Sequence, residues 1–136
     1  MVLTRNYQST DYESVREILE VGGLFWEASD NKESLERKIQ RQPGSILVAT
    51  EDKKVVGTQF IVEDFMPLLF RLAIHPDFRR RGIGLQLITH AEDLLRSKGH
   101  NHVNILVASN DLELIEHYQK QGYEKGSTYL WMVKEL

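Results

Sequence analysis

The densest positive charge in the chain stands beside two glycines. Arg79, Arg80 and Arg81 run directly into Gly82 and Gly84, and apolar residues then recur at helical spacing. The first turn of a helix exposes unpaired N–H groups and the positive end of the helix dipole, which suits a phosphate. Glycines let a bulky anion approach the backbone, and arginines add fork-shaped hydrogen bonds. The junction therefore predicts an anion site, and a diphosphate fits it better than a carboxylate.

Two well-known phosphate motifs do not fit this stretch. A P-loop needs Lys followed by Ser or Thr after its glycines, and here Leu85 and Gln86 follow. A dinucleotide-binding fingerprint needs a third glycine where Leu87 stands. It also turns straight off its strand, whereas the intervening segment His75–Arg81 separates strand from helix here.

The surrounding sequence predicts the elements that position this junction. Alternating or continuous apolar runs indicate strands, helical spacing indicates helices, and Gly, Pro and Asn mark their ends. The predicted strands are residues 2–7, 45–50, 54–62, 66–74, 102–108 and 128–133, and the predicted helices lie between 9 and 22, over 32–41, from 82 to 98 and from 110 to 122. The order β-α-α-β-β-β-α-β-α-β predicts an α/β (α+β) fold. Its mixed, mostly antiparallel sheet is flanked by helices on both faces.

The last predicted helix begins with a capping box. Asn110 is the expected cap, and Glu113 reaches back to it. Leu114, Ile115 and Tyr118 share one face of this helix. From the residues alone, Asn110 needs no role beyond that of a helix cap. A core tyrosine and a functional residue are equally good interpretations of Tyr118.

Composition bounds the kind of protein. At 136 residues we expect one domain, residues 1–136, and a net charge of −3 gives no global attraction to nucleic acid. The chain has no cysteine, which excludes thiolate metal sites and a cysteine nucleophile. The N-terminus lacks the apolar core of a signal peptide, and no apolar run reaches the roughly 20 residues of a membrane helix. We expect a soluble, cytoplasmic protein with no membrane partner.

A metal site is not expected. The five histidines show none of the spacings typical of metal ligands; they are His75, His90, His100, His102 and His117.

Two segments resemble the conserved blocks of one known family. Arg79-x-x-Gly82-x-Gly84, between a strand and an amphipathic helix, resembles the acyl-CoA-binding signature of the GNAT superfamily of N-acetyltransferases. The longer run LAIHPDFRRRGIG is similar to the strand-loop-helix segment of that family. A second run, ASNDLELIEHYQKQGYEKG, is similar to its other block, an Asn opening a helix that carries a Tyr.

The resemblance implies acetyl-CoA as co-substrate, with no metal, and direct transfer of the acetyl group to an amine of a small molecule or peptide. It implies that Tyr118 protonates the leaving thiolate and that Asn110 contacts the cofactor. It implies a cofactor-binding role for the backbone of two runs: Leu72, Ala73 and Ile74 for the pantetheine arm and thioester carbonyl, and Arg79, Arg80, Arg81, Gly82, Ile83 and Gly84 for the pyrophosphate.

The sequence departs from the family at the expected general base. Many relatives carry a carboxylate where this chain has Arg71, and others carry one where it has Ile105. Glu63, Asp64 and His75 remain as candidates that act through water. Arg71 suggests instead an acceptor that bears a carboxylate or a phosphate.

Two questions stay open from the sequence. The missing carboxylates allow a non-catalytic acyl-CoA-binding module as the alternative to an enzyme. The last strand, residues 128–133, either pairs across a homodimer or closes the sheet of one chain.

Overall fold

The computed structural model describes residues 1–136, which form five strands and five helices. The strands are β1 (Val2–Asn6), β2 (Ile46–Glu51), β3 (Lys54–Val62), β4 (Leu68–Ile74) and β5 (Asn104–Ile105). The helices are α1 (Tyr12–Val21), α2 (Glu27–Asp30), α3 (Lys32–Arg41), α4 (Ile83–Ser97) and α5 (Leu112–Lys120). Short 3-10 turns cover Ser9–Asp11 and Pro76–Phe78.

The strands form one sheet in the order β1-β2-β3-β4-β5. The first three pairings are antiparallel, and β4 pairs with β5 in parallel. Between β2 and β3, Asp52 and Lys53 both have positive φ, of 50° and 68°, as expected for a tight hairpin turn. The predicted mixed, mostly antiparallel sheet is confirmed.

Helices cover both faces of this sheet. On one face, α1 and α3 contribute Leu19 and Leu35 to a core with Ile46 and Val48. On the other face, Leu87 of α4 lies so close to the backbone of β3 that a Cβ at Gly57 would stand 3.2 Å from its Cδ1 atom. Burial of apolar side chains on both faces supplies the main stabilisation of such a layered fold.

The predicted boundaries hold where the sequence signal is local. The predictions for 32–41 and 54–62 match α3 and β3 at both ends, and α4 begins directly after Gly82. The one-turn helix α2 was not predicted. The fifth strand is much shorter than the predicted 102–108, since β5 pairs with β4 at two positions only, Leu68 with Asn104 and Leu69 with Ile105.

The prediction of a last strand over 128–133 is wrong. No strand follows α5, and Tyr129, Leu130 and Met132 are each at least 86% exposed. A strand exists only where a neighbouring backbone accepts and donates its hydrogen bonds. Residues 128–133 pair with none of the five strands of the sheet.

The chain divides into two compact units, Met1–Ile105 and Leu106–Leu136. The first unit contains the whole sheet with α1 to α4, and the second contains α5 and the C-terminal segment. That residues 1–136 act as one domain stays a prediction. None of the helices has the length and apolar character needed to cross a bilayer.

Candidate active site

The strand that leads to the arginine-glycine loop contains a bulge. Thr58 of β3 pairs with Ala73 and Phe60 pairs with Phe70, so that Gln59 alone faces two residues of β4. Arg71, one of these two, has a φ of 58° in the left-handed region. A residue with a Cβ adopts this region at a cost, so the bulge is imposed by its surroundings.

Beyond the bulge, one edge of β4 is free of strand partners. β5 accompanies β4 only along Leu68 and Leu69, whereas β3 follows β4 to Ile74. Leu72, Ala73 and Ile74 therefore have a neighbouring strand on one side only. Such an edge presents N–H and C=O groups that an extended ligand can pair with like an added strand.

The loop after β4 has the backbone of an anion site. Arg80 and Gly82 both have positive φ, of 61° and 78°, and such alternation of backbone handedness turns successive N–H groups toward one side. Gly82 precedes α4, and no side chain caps the first turn of that helix. A Cβ on Gly84 would meet only Leu72 Cδ2, at 3.9 Å, so the surface above this glycine is open. The side chain of Leu72 therefore lies beside Gly84.

The three arginine side chains differ in what they bind. Arg81 donates two hydrogen bonds to Glu51, and Arg79 Nε donates to the carbonyl of Ile74 at 3.2 Å. The Arg80 side chain is exposed and has no protein partner. Ile83 is buried in the core, so that only its backbone N–H can face a ligand.

The start of α5 differs from the prediction. Its cap is Asp111, whose side chain accepts a hydrogen bond from Leu114 N at 3.1 Å, and Asn110 lies in the preceding turn. The prediction of Asn110 as cap is therefore wrong. The physical reason is that the neighbouring carboxylate is an equally suitable cap and interacts more favourably with the helix dipole.

Tyr118 is the buried residue of α5. The residue is 9% exposed, and its ring lies edge-on to that of Tyr123 with centroids 5.5 Å apart. Burial raises the pKa of the Tyr118 hydroxyl, so the phenol stays protonated at neutral pH. The hydroxyl makes no hydrogen bond to another residue and is chemically available as a proton donor.

The three candidate bases are not brought together. His75 follows β4, and its Nδ1 atom accepts a hydrogen bond from Asp77 N at 3.1 Å. Glu63 and Asp64 follow β3, at the opposite end of the antiparallel β3–β4 pair. Glu63 is bound by Lys98 at 2.8 Å and by His100 at 3.0 Å, and Asp64 is exposed.

Arg71 is already neutralised by a residue that the sequence did not single out. Its guanidinium reaches the carboxylate of Asp30 with N–O distances of 3.2 and 3.1 Å. Both side chains are largely buried, with exposed fractions of 12% and 3%. Arg71 is thus not a free cation for an acidic acceptor. Three residues that the sequence analysis did not single out bind partners far away in the chain: Asp30, Glu51 and Gln59. No local sequence pattern indicated these partners.

The chain is similar in sequence to known proteins. The sequence profile of the Acetyltransferase (GNAT) family matches residues 12–123. An acetyltransferase from Sodalis glossinidius is 31% identical over 97% of this chain and 94% of its own length. One from Yersinia enterocolitica is 32% identical over 93% of this chain and 90% of its own length.

The chain belongs to the acetyltransferase (GNAT) family. The resemblance read from the two sequence blocks is confirmed, and the protein is an acetyltransferase.

Solved structures share the GNAT fold of this chain. The PaiA N-acetyltransferase from Thermoplasma acidophilum, in complex with coenzyme A, superimposes with a TM-score of 0.83 at 20% identity, covering 95% of this chain and 93% of that one. The N-acetylglutamate synthase from Neisseria gonorrhoeae, complexed with coenzyme A and N-acetyl-glutamate, gives 0.77 at 21% identity, covering 93% of this chain and 29% of that one.

Proposed function

We propose that this GNAT protein transfers an acetyl group from acetyl-CoA to a primary amine of a small-molecule or peptide acceptor, by direct attack within a ternary complex. Membership of the family supports acyl transfer. The complexes of the Thermoplasma and Neisseria proteins with coenzyme A support the choice of donor.

The backbone of the segment Arg79–Gly84, which we call the phosphate loop, carries the proposal. Its left-handed residues, Arg80 and Gly82, and the uncapped start of α4 present N–H groups that a diphosphate accepts. The exposed side chain of Arg80 adds a charge-assisted contact. The role of Asn110 toward the cofactor remains part of the proposal and rests on the family resemblance alone.

The pantetheine arm would then run along the open edge of β4. Leu72, Ala73 and Ile74 supply main-chain groups there, and the arm pairs with them as an added strand would. A main-chain N–H in this run donates to the thioester carbonyl and stabilises the oxyanion that forms during attack.

The reaction requires two proton movements. The amine nitrogen attacks the thioester carbon, the new C–N bond forms and the C–S bond breaks. Tyr118 donates its phenolic proton to the leaving thiolate, and the nitrogen loses a proton to water. Solvent then returns a proton to the Tyr118 phenolate, so that the products are an N-acetyl amide and coenzyme A and the enzyme is unchanged. The raised pKa of Tyr118 keeps that donor protonated.

Water accepts the proton from the amine in this proposal. Two carboxylates are already occupied, since Asp30 binds Arg71 and Glu63 binds both Lys98 and His100. Hydrogen bonds from Lys98 and His100 lower the pKa of Glu63, which makes this carboxylate a weak base. Solvent that enters from the acceptor side therefore removes the proton from the amine.

Calorimetric titration with coenzyme A, combined with amide chemical shifts, tests the proposed donor. Heat of binding and shifted amide resonances in the phosphate loop are expected. No heat and no shifts would reject it. Thiol release from acetyl-CoA is then measured with a panel of polyamines, amino acids, aminoglycosides and peptides. Tight binding without release for any amine would favour the non-catalytic module.

A further inference from the structure

The bulge in β4 is an unusual place for an arginine. Arg71 adopts a left-handed backbone that favours glycine, directly before Leu72, where the proposed thioester contacts begin. Such a conformation persists where the surroundings enforce it, and enforced backbones cluster at functional sites. The contacts of Arg71 show what enforces this one.

On the face of the sheet that carries α1, a buried ion pair holds the side chain of Arg71. The Oδ1 atom of Asp30 accepts a hydrogen bond from Arg71 Nε, and its Oδ2 atom forms an ion pair with Arg71 Nη2. The guanidinium also stacks on the ring of Phe70, with 4.4 Å between Cζ and the ring centre. Asp30 accepts a further hydrogen bond from Trp26 N at 2.9 Å, so the carboxylate is itself fixed.

On the opposite face, Gln59 holds the peptide group that precedes Arg71. Its Nε2 donates to the carbonyl of Phe70 at 2.8 Å and is 3.3 Å from that of Phe60. Gln59 is 1% exposed, so these bonds are made away from solvent. The bulge is therefore held from both faces, by an amide on one and an ion pair on the other.

We propose that Asp30 is a positioning residue for catalysis: through Arg71 it holds the β4 bulge and so aims the main-chain groups of Leu72 at the thioester carbonyl. Asp30 touches neither substrate nor cofactor. The inference rests on the proposed function, because it requires a thioester at this edge of β4.

The positioning role of Asp30 can be tested on bound acetyl-CoA, so that no acceptor needs to be known. The probe is acetyl-CoA labelled with ¹³C at the acetyl carbonyl, since a hydrogen bond to the carbonyl oxygen moves this carbon resonance downfield. We expect a downfield shift on binding to the wild-type protein. Asp30→Asn should return the resonance most of the way to its free position, while the Kd for coenzyme A changes by less than about threefold.

A double variant separates positioning from stability. Replacing both members of a buried ion pair by apolar residues of similar size often preserves stability. Asp30→Leu combined with Arg71→Met should therefore melt close to the wild type and still lose the carbonyl shift. Asp11→Asn is the matched control, since Asp11 is also buried and also binds an arginine, Arg5, at 2.7 Å. It should lower the melting temperature and leave the carbonyl shift unchanged.

The outcomes distinguish the two proposals. A wild-type protein that does not bind acetyl-CoA overturns the proposed function. A wild-type protein that shows the shift, together with a folded double variant that keeps it, overturns the role of Asp30 and leaves the proposed function intact. If Asp30→Asn unfolds, the carbonyl shift of the double variant tests the role of Asp30.

Discussion

Glu51 and Arg81 form a two-bonded ion pair that joins the end of β2 to the phosphate loop. Arg81 Nη1 and Nη2 lie 2.9 and 2.6 Å from the two carboxylate oxygens. The guanidinium also lies 5.2 Å from the ring centre of Phe78. Hydrogen bonds from Arg81 hold the pKa of Glu51 below its ordinary value. A negative charge therefore lies close to the proposed diphosphate site.

Removing this charge should strengthen cofactor binding. In Glu51→Gln the repulsion of the diphosphate is lost and Arg81 becomes available to it, so the Kd for coenzyme A should fall about two- to fivefold at low salt. Calorimetry at two ionic strengths measures the effect, which should shrink at about 0.5 M salt. Glu33→Gln, which breaks the exposed pair with Arg37 on α3, is the control. Weaker binding in Glu51→Gln would mean that the pair serves to shape the loop.

The two glycines of the loop should respond differently to alanine. Gly84→Ala introduces no clash within the protein and replaces a helical glycine, so the free energy of unfolding should stay equal or rise by up to about 1 kcal/mol. The new methyl group occupies the space of the diphosphate, and the Kd for coenzyme A should rise about tenfold or more.

Gly82→Ala should instead destabilise the fold by about 1–2 kcal/mol, because the φ of 78° is strained for any residue with a Cβ. Denaturant unfolding and calorimetry measure both glycine variants, and Gly126→Ala, which introduces no contact, is the control. Unchanged affinity in Gly84→Ala would contradict our placement of the diphosphate.

Tyr118→Phe should separate turnover from binding. Loss of a general acid lowers the rate about 100-fold or more, while the Kd for coenzyme A should hardly change. Because burial raises the pKa of Tyr118 above its ordinary value, the phenol should stay protonated and the rate should not fall through its ionisation near neutral pH. The rate is measured with the best amine of the panel, and Tyr123→Phe, which keeps the edge-on ring pair, is the control. Equal turnover in Tyr118→Phe would remove this residue from the mechanism.

Glu63 should contribute a pH-dependent part of stability. Hydrogen bonds from Lys98, opposed by partial burial and assisted by His100, lower the pKa of Glu63 from 4.5. The carboxylate is thus favoured in the folded state, so its contribution is present above pH 4.5 and is lost as the pH falls through the lowered folded value.

Urea unfolding between about pH 3 and pH 7 measures this part. Glu63→Gln should lower the free energy of unfolding at pH 7 by up to about 1 kcal/mol and flatten the acid side of the profile. Asp64→Asn, a neighbouring exposed carboxylate, is the control. An identical pH profile in Glu63→Gln would show that the pairs with Lys98 and His100 carry no net stability.

Much of the fold was predictable because its signals are local. Helix α3 and strand β3 matched their predicted bounds, since apolar spacing and the flanking turn residues fix such elements over a few residues. The wrong predictions concern strands, whose formation depends on a neighbouring strand far away in the sequence. The region 102–108 kept only two paired residues, and 128–133 formed no strand, because a strand depends on a neighbour that its own sequence does not name.

The sequence by itself determined the family and predicted where the proposed phosphate loop lies. Gly82 and Gly84 between a strand and an amphipathic helix are contiguous, and a helix start attracts anions whatever surrounds it. Only the tertiary structure decided that Arg71 is neutralised by Asp30, that Arg81 is bound to Glu51, and that Gln59 holds the bulge. These pairs span 41, 30 and 11 positions. The physical reason is that charge pairing and burial depend on distance in space, which the chain acquires only when the sheet and its helices have packed.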